Sequence, residues 1–202
     1  MFSNLNAATG AVSDGSNVLS QKEVALVNYG ILDEAIKGKD YDTISTMAIT
    51  LYSTAQSPQF SGNREALRKK GLGLLALCHV NGHIVSSLYL IKALMKSFPA
   101  QAEKVARDAI SIRNSTKNTK LSHQDIYNSI VLLYVSFVLD NKESSKEDYN
   151  NAIESLERLN IETPQIDFFS AFLFRKLGSD EMADVYLTAA CSKAKPGSKI
   201  FS

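Results

Sequence analysis

The stretch that decides the fold is NGHIVSSLYLIKALMKSFP, residues 81–99, which opens on a polar Asn-Gly pair and closes on a proline. Between these breaks, apolar and small residues recur with the three- and four-residue spacing of an amphipathic helix. Gly82 suits the end of the preceding helix, and Pro99 suits the first turn of the next one. This helix belongs either to an irregular helical bundle or to the second half of a repeated helical unit.

The same helical period continues on both sides of this segment, and no sustained alternation of apolar and polar residues predicts a strand. The breaks between the periodic segments fall at glycine, proline or short polar runs. We predict nine helices, at 21–37, 41–55, 63–80, 83–97, 100–113, 123–139, 146–160, 165–177 and 180–194. The sequence therefore predicts an all-α fold.

Composition divides the chain into a tail and one helical domain. Residues 1–20 are rich in Ser, Asn, Gly and Ala without an apolar period, so we expect a flexible N-terminal tail. We expect residues 21–202 to form a single helical-repeat domain. The polar run NSTKNTKLS, residues 114–122, is the candidate sub-boundary within it.

Three helices share a spacing of small and large residues of four positions and then three. The matching sets are Ser87, Ile91 and Leu94 before Pro99; Ala152, Leu156 and Leu159 before Pro164; and Ala183, Leu187 and Ala190 before Pro196. A looser copy ends at Pro58. The pattern resembles the tetratricopeptide repeat (TPR), in which a small residue on the second helix lets the first helix approach closely. The resemblance implies stacked antiparallel helical hairpins, a TPR-like α-solenoid.

The resemblance also implies a function, which is to hold a helix or an extended peptide in a concave groove lined by the first helices of the hairpins. We therefore expect a non-catalytic adaptor, chaperone or assembly factor whose partner is another protein. Carried over position by position, the partner-binding residues are Lys69, Leu72, Ala76, His79, Phe168, Phe172 and Arg175, with Tyr29 and Asp33 in the first hairpin. Apolar members are expected to anchor the partner, and Lys69 and Arg175 to orient a carboxylate.

Two further features predict surfaces. In DFFSAFLFRKLG, residues 167–178, four phenylalanines spread around more of the helix than one buried stripe requires. We expect some of this aromatic surface to be exposed for a partner or for a homo-oligomer. The basic cluster Arg64, Arg68, Lys69 and Lys70, with Lys104 and Arg107 as further members, is either a solvated face or a site for an acidic peptide. Nucleic-acid binding is a further alternative, although a net charge of +1 gives no general attraction to phosphates.

The sequence offers no catalytic or metal-binding constellation, so we predict a protein that is not an enzyme and has no cofactor or metal. Cys78, His79 and His83 have the spacing C-H-x-x-x-H, but Gly82 should break the helix between the two histidines. Cys78 is expected to be a buried structural cysteine. Gly71 and Gly73 are expected to serve close helix packing.

Neither a membrane span nor a signal peptide is predicted. The most apolar window, residues 72–94, is interrupted by His79, Asn81, His83 and Lys92, and the first residues lack a basic and an apolar region. Because the chain has only two cysteines, we expect a reduced cytoplasmic protein. The alternative is a type III-like virulence or secretion-apparatus protein, exported without a cleaved signal peptide and with the Ser/Asn-rich tail as its signal.

Overall fold

The computed structural model describes residues 29–115, 123–159 and 161–194, and every regular element longer than one residue among them is an α-helix. The helices are α1 (Tyr29–Gly38), α2 (Tyr41–Gln56), α3 (Arg64–Val80), α4 (Ile84–Leu94), α5 (Pro99–Ser115), α6 (Gln124–Asp140), α7 (Lys146–Glu157), α8 (Pro164–Lys176) and α9 (Asp180–Lys193). This confirms the all-α prediction for the described part of the chain. The predicted tail, residues 1–20, lies outside it. No helix in the described ranges has both the length and the apolar content needed to cross a membrane.

The predicted helix boundaries agree with the observed ones within three residues, except that the first helix is described only from Tyr29. The prediction for α4 is wrong at its end, because the helix stops at Leu94 rather than at residue 97. The backbone N–H groups of Ser97 and Phe98 both bond to the carbonyl of Leu94, which turns the chain before Pro99. The proline disfavours the α conformation at Phe98, so the helix cannot continue through this residue.

Three helix pairs are joined by the same tight corner. The first or second residue after the first helix is in the left-handed region, with φ of 56° at Lys39, 82° at Gly82 and 79° at Gly178. The next residue then donates its N–H to the carbonyl five positions earlier, over 2.9 Å from Asp40 to Ala35, 3.0 Å from His83 to Cys78 and 2.9 Å from Ser179 to Phe174. This is the Schellman arrangement, which satisfies carbonyls at a helix end. The α1–α2, α3–α4 and α8–α9 corners are therefore structural copies of one another.

The described helices belong to two compact units, Met1–Phe98 and Pro99–Ser202. In the first unit α1 packs on α2, α2 on α3 and α3 on α4; in the second unit each of the helices α5 to α8 packs on the next one. The candidate sub-boundary at 114–122 lies inside the second unit, and its residues 116–122 are outside the described ranges. Consecutive helices are thus neighbours within each unit.

The buried core of each unit lies between these consecutive, neighbouring helices. In the first unit, Ile44, Ala48 and Leu51 of α2 and Leu67 and Leu75 of α3 are completely buried. In the second unit α6 packs against α5, α7 and α8, and it accordingly buries residues around most of its circumference. The buried residues of α6 are Tyr127, Asn128, Ile130, Val131, Tyr134, Val135 and Val138.

Gly71 allows α3 to lie directly against the backbone of α2. A Cβ at this position would lie 2.9 Å from the backbone nitrogen of Tyr52 and 3.0 Å from the carbonyl oxygen of Ala48. Gly73 differs, because a Cβ there would meet no atom within 4 Å. The expectation of close packing therefore holds for Gly71 and is wrong for Gly73.

We expect Gly71→Ala to lower the free energy of unfolding by about 1–3 kcal/mol, because the added methyl group forces two helix backbones apart. The matched control Gly73→Ala should raise the same quantity by up to about 1 kcal/mol, because alanine is the better helix former. Urea denaturation followed by circular dichroism measures both variants. Equal effects at the two positions would contradict the close approach of α3 to α2.

The corners give a second prediction. Gly178→Ala should lower the free energy of unfolding by about 1–2 kcal/mol, the cost of a left-handed conformation for a residue with a Cβ. Lys39→Gly should raise the free energy of unfolding, because Lys39 already bears that cost at the α1–α2 corner. Thermal denaturation of the two variants would contradict this account if both shifted the midpoint in the same direction.

Candidate functional site

The predicted partner-binding residues of the first unit lie on α1 and α3. Lys69 and Asp33 are exposed, Leu72 and Ala76 are half-buried, and Tyr29 is the first described residue of α1. Desolvation lowers the pKa of the neighbouring Lys70 ammonium, and the carboxylate of Asp33 opposes that shift. The structure therefore brings the charged groups of α1 and α3 near each other.

Among the predicted partner-binding residues whose burial the structure describes, His79 is the most buried. Its side chain is only 6% exposed, and its Nδ1 atom lies 2.9 Å from Oγ of Ser87 on α4. This contact links α3 to α4 across the Gly82 corner. We therefore leave His79 out of the surface that we propose below.

The four basic side chains of the predicted cluster have different roles. Arg64 donates to the carbonyl oxygens of Pro58 and Phe60 over 2.9–3.1 Å, and so it fixes the loop before α3. Arg68 pairs with Glu65 at 3.2 Å. Lys69 projects into solvent, whereas Lys70 is half-buried. Two of the four cations are thus engaged by the protein itself, which weakens the field that a nucleic-acid backbone would meet.

The predicted further members of the basic cluster, Lys104 and Arg107, lie on α5 in the second unit. Lys104 is exposed, whereas Arg107 donates to Glu103 at 2.7 Å and pairs with Asp148 at 3.0 Å. Arg107 therefore links α5 to the start of α7.

An Asp–His–Ser arrangement, which sequence reasoning missed, lies at the start of α4. The Nε2 atom of His83 lies 3.0 Å from Oδ1 of Asp42, and its Nδ1 atom lies 3.0 Å from Oγ of Ser86. Nδ1 also accepts the backbone N–H of Ser86 at 3.3 Å, so the imidazole is the N-cap of α4. Ser86 is fully buried and donates to Oγ of Ser45, whereas a nucleophile needs an open path to its substrate. The arrangement therefore serves the cap and the core.

The histidines of the C-H-x-x-x-H segment point to different partners, Ser87 for one and Asp42 for the other. Among the described residues, no group of three or more His, Cys, Asp or Glu side chains is arranged to hold a metal ion. The nearby Cys78 is buried and donates to the carbonyl of Tyr41 at 3.7 Å. Desolvation raises the pKa of its thiol from an ordinary value of 9.0 to about 11.

The phenylalanines of α8 divide between the inside and the outside of the α8–α9 hairpin. Phe174 faces α9, where its ring stacks on Tyr186 at a centroid distance of 5.3 Å. Phe172 is 44% exposed, and its ring lies 4.6 Å from that of Phe168 at an angle of 54°. We call Phe168, Phe172, Arg175 and Lys176 the α8 surface. Phe172 thus gives α8 the exposed aromatic surface that was expected, whereas its role in binding a partner stays a prediction.

The position of α8 against α9 is fixed by ion pairs at both ends of the hairpin. At one end, Nζ of Lys193 forms an ion pair with the buried carboxylate of Asp167 at 2.9 Å, and this contact raises the pKa of Lys193. At the other end, Arg175 pairs with Asp184 at 3.2 Å and, more loosely, with Asp180 at 4.0 Å. Exposed pairs of the second kind contribute at most about 1 kcal/mol. A partner carboxylate can therefore compete for Arg175.

A polar groove of about 520 Å³ lies between α5, α6 and α7 in the second unit. It is lined by Arg107, Ile110, Ser111, Asn114, Ser115, Tyr134, Asn151, Glu154, Ser155 and Arg158. Its side chains can donate and accept hydrogen bonds, and they include both signs of charge. Sequence reasoning missed this groove because its walls come from three helices, none of which has an unusual motif.

No protein-family model, curated protein or solved structure matches this chain. The resemblance to the tetratricopeptide repeat therefore stays a prediction from the sequence. The function is accordingly argued from the surfaces described above.

The pKa of Cys78 predicts how stability responds to alkaline pH. The folded state keeps the thiol protonated up to about pH 11, whereas the unfolded chain releases this proton near the ordinary pKa of 9.0. The contribution of Cys78 to the free energy of unfolding is therefore fully present below about pH 9 and is lost as the pH rises above that value. The free energy of unfolding, measured in urea at several pH values, should therefore fall less steeply in Cys78→Ala than in the wild type. Cys191→Ala, which replaces the exposed cysteine, is the control, and it should follow the wild type. Parallel curves for all three proteins would contradict the prediction.

Proposed function

We propose that this chain is a non-catalytic protein-binding adaptor, chaperone or assembly factor that recognises a helix or an extended peptide. The observation that carries the proposal is the α8 surface, where Phe172 is 44% exposed and packs on Phe168 beside Arg175. An exposed aromatic side chain near a guanidinium has the composition of a binding hot spot. Phe174, which is not part of this surface, stacks on Tyr186 of α9.

The repeated corners support the TPR-like, stacked-hairpin arrangement. The same Schellman geometry joins α1 to α2, α3 to α4 and α8 to α9, and consecutive helices are neighbours within each unit. Helical repeats of this kind use one helix of each hairpin to present a binding surface. The arrangement is therefore consistent with a protein whose role is to hold another polypeptide.

The first unit offers a second surface for a partner. Lys69 supplies an exposed ammonium, Leu72 a half-buried apolar side chain and Asp33 a carboxylate, all on α1 and α3. A short peptide with an apolar residue and an acidic residue would match this set. Ala76, one turn along α3 from Leu72, is small and leaves room for the backbone of such a peptide.

The cytoplasm is the compartment that we propose, because neither Cys78 nor Cys191 forms a disulfide. Export through the Ser/Asn-rich tail is the alternative, and that tail lies outside the described residues. Deleting residues 1–18 distinguishes the two: an adaptor keeps its partner, whereas an exported protein then stays in the cell that makes it. Nucleic-acid binding is less favoured, because Arg64 and Arg68 are engaged within the first unit.

The experiment that tests the proposal is capture of partners from a native lysate, identification by mass spectrometry and measurement of the dissociation constant with purified proteins. Phe172→Ala should weaken binding of the captured protein by about 1–3 kcal/mol, with a modest loss of stability, because the side chain is an exposed anchor. Val185→Ala is the control, since it removes another exposed apolar side chain, on α9. We expect the control to bind as the wild type does.

Two outcomes would contradict the proposal. If only nucleic acid were recovered, and if it shifted in a gel with strong salt dependence, the nucleic-acid alternative would replace the adaptor. If Phe172→Ala unfolded the protein, Phe172 would be a core residue rather than an anchor.

A further inference from the structure

We infer that the polar groove between α5, α6 and α7 binds the main chain of an extended polypeptide segment. The inference rests on the proposed protein-binding function. It adds a second site, built from residues other than those of the α8 surface, and it specifies the conformation of the segment that this site accepts.

The groove has a buried floor and exposed walls. Its floor includes Tyr134 of α6 and Ile110 of α5, which are 2% and 6% exposed. Its walls come from α5 and α7, which both pack on α6. The α5 wall runs from Arg107 to Ser115, and eight residues of helix rise by about 12 Å. About four residues of an extended chain, at roughly 3.3 Å each, match that length.

Neutral polar groups of the groove keep hydrogen-bonding capacity for a ligand. Among the described residues, nothing hydrogen-bonds to the hydroxyl of Tyr134, and this atom is not enclosed by protein. In the same part of the chain, the side chains of Ser111 and Asn151 have no hydrogen-bond partner either. Asn114 uses its side-chain oxygen to accept the hydroxyl of Tyr127 at 3.2 Å, which leaves its amide hydrogens for a ligand. A ligand that satisfies the phenol removes the cost of a buried polar group without a partner.

The charged groups of the groove, by contrast, are paired within the protein. Arg107 pairs with Asp148 at 3.0 Å, and Arg158 pairs with Glu154 at 3.5 Å. A phosphate or another anion would therefore meet guanidinium groups whose charge is already balanced. The ring of Tyr134 is buried and has the guanidinium of Arg107 at 5.7 Å from its centre, so it offers no open face on which a nucleobase could stack. The groove thus favours a neutral ligand that both donates and accepts hydrogen bonds.

The main chain of an extended polypeptide is such a ligand. Each peptide unit has one N–H donor and one carbonyl acceptor, which a helix uses internally and an extended segment leaves free. A hydroxyl such as that of Tyr134, and a side-chain amide such as that of Asn151, can each donate and accept. Because Ser111 and Asn114 lie on one wall and Asn151 on the other, both edges of an extended segment have hydrogen-bonding groups within the groove. A small-molecule site would have a mostly apolar lining instead.

Peptides selected from a phage-displayed library of random heptapeptides, with the full chain as the immobilised target, test the inference. We expect binders whose dissociation constant, measured by calorimetry on synthetic peptides, rises by about 3- to 10-fold in Asn151→Ala and in Tyr134→Phe, as for the loss of one neutral hydrogen bond. The matched control is Asn150→Ala, on the same helix and exposed but outside the groove lining, and it should bind as the wild type does. Tyr134→Phe should not lower the thermal midpoint, because the hydroxyl has no hydrogen bond to lose within the described part of the free protein. A loss of binding without a loss of stability then separates recognition from folding.

Modified peptides test the recognition of an extended main chain. Methylation of every second amide nitrogen removes hydrogen-bond donors and keeps the side chains, so one of the two alternating patterns should raise the dissociation constant by about 10-fold or more. The same sequence held in a helix by a side-chain bridge should not bind, because its main-chain groups are bonded to one another. Binding that tolerates both methylation patterns, or a bridged helix that binds as well as the free peptide, would overturn the inference.

The groove and the adaptor proposal can fail separately. A library that yields no binder, or binders that ignore both Asn151→Ala and Tyr134→Phe, would overturn the groove site, whereas a captured protein that is lost on Phe172→Ala would still support the adaptor. Peptides that depend on the groove, together with a native lysate from which no protein is captured, would support the groove site and overturn the adaptor.

Discussion

Close approach of neighbouring helices through small residues is the constraint on which the rest of the structure depends. Gly71 lies against the backbone of α2 at Ala48, and Ala152, Ala171, Ala183 and Ala190 are likewise buried in helices of the second unit. Small residues at these positions let helix backbones come together, so that the flanking large residues interlock. Helices packed in this way bury one or two faces and leave the remaining face to solvent. The exposed side of α8, with Phe172, is a direct result.

How far the sequence predicts this structure depends on whether the deciding signal is local. Helix ends at Gly82, Pro99, Pro164 and Gly178 were predictable, because glycine and proline act on their own backbone. The burial of His79 was not, because it depends on Ser87, which approaches only after the chain has turned at Gly82. The contact between His83 and Asp42 joins residues 41 positions apart, and no spacing in the sequence predicts it. Likewise, the helical period predicted exposed phenylalanine, but the inward position of Phe174 is set by Tyr186 on another helix.

Charge is used differently in the two units, and this shapes what each surface can recognise. In the first unit, Arg64 bonds to the loop before α3 and Arg68 pairs with Glu65, and Lys69 is a further exposed cation of the predicted cluster. In the second unit, Arg107 pairs with Glu103 on its own helix α5 and with Asp148 on α7, so it belongs to the architecture as well as to the polar groove. A count of basic residues would suggest a broad positive surface. The pairings replace it with a few separate charges.

The repeated corner also bears on how such a chain can change over evolutionary time. Each of the three copies is complete within a few residues, since the left-handed residue, the backbone bond across the turn and the start of the next helix are all local. A whole hairpin can therefore be duplicated or deleted in the gene with its corner intact. Sequence drift can then erase the visible likeness between copies, because only a handful of positions must be kept. A protein built in this manner can retain its architecture after its sequence similarity to related proteins is no longer detectable.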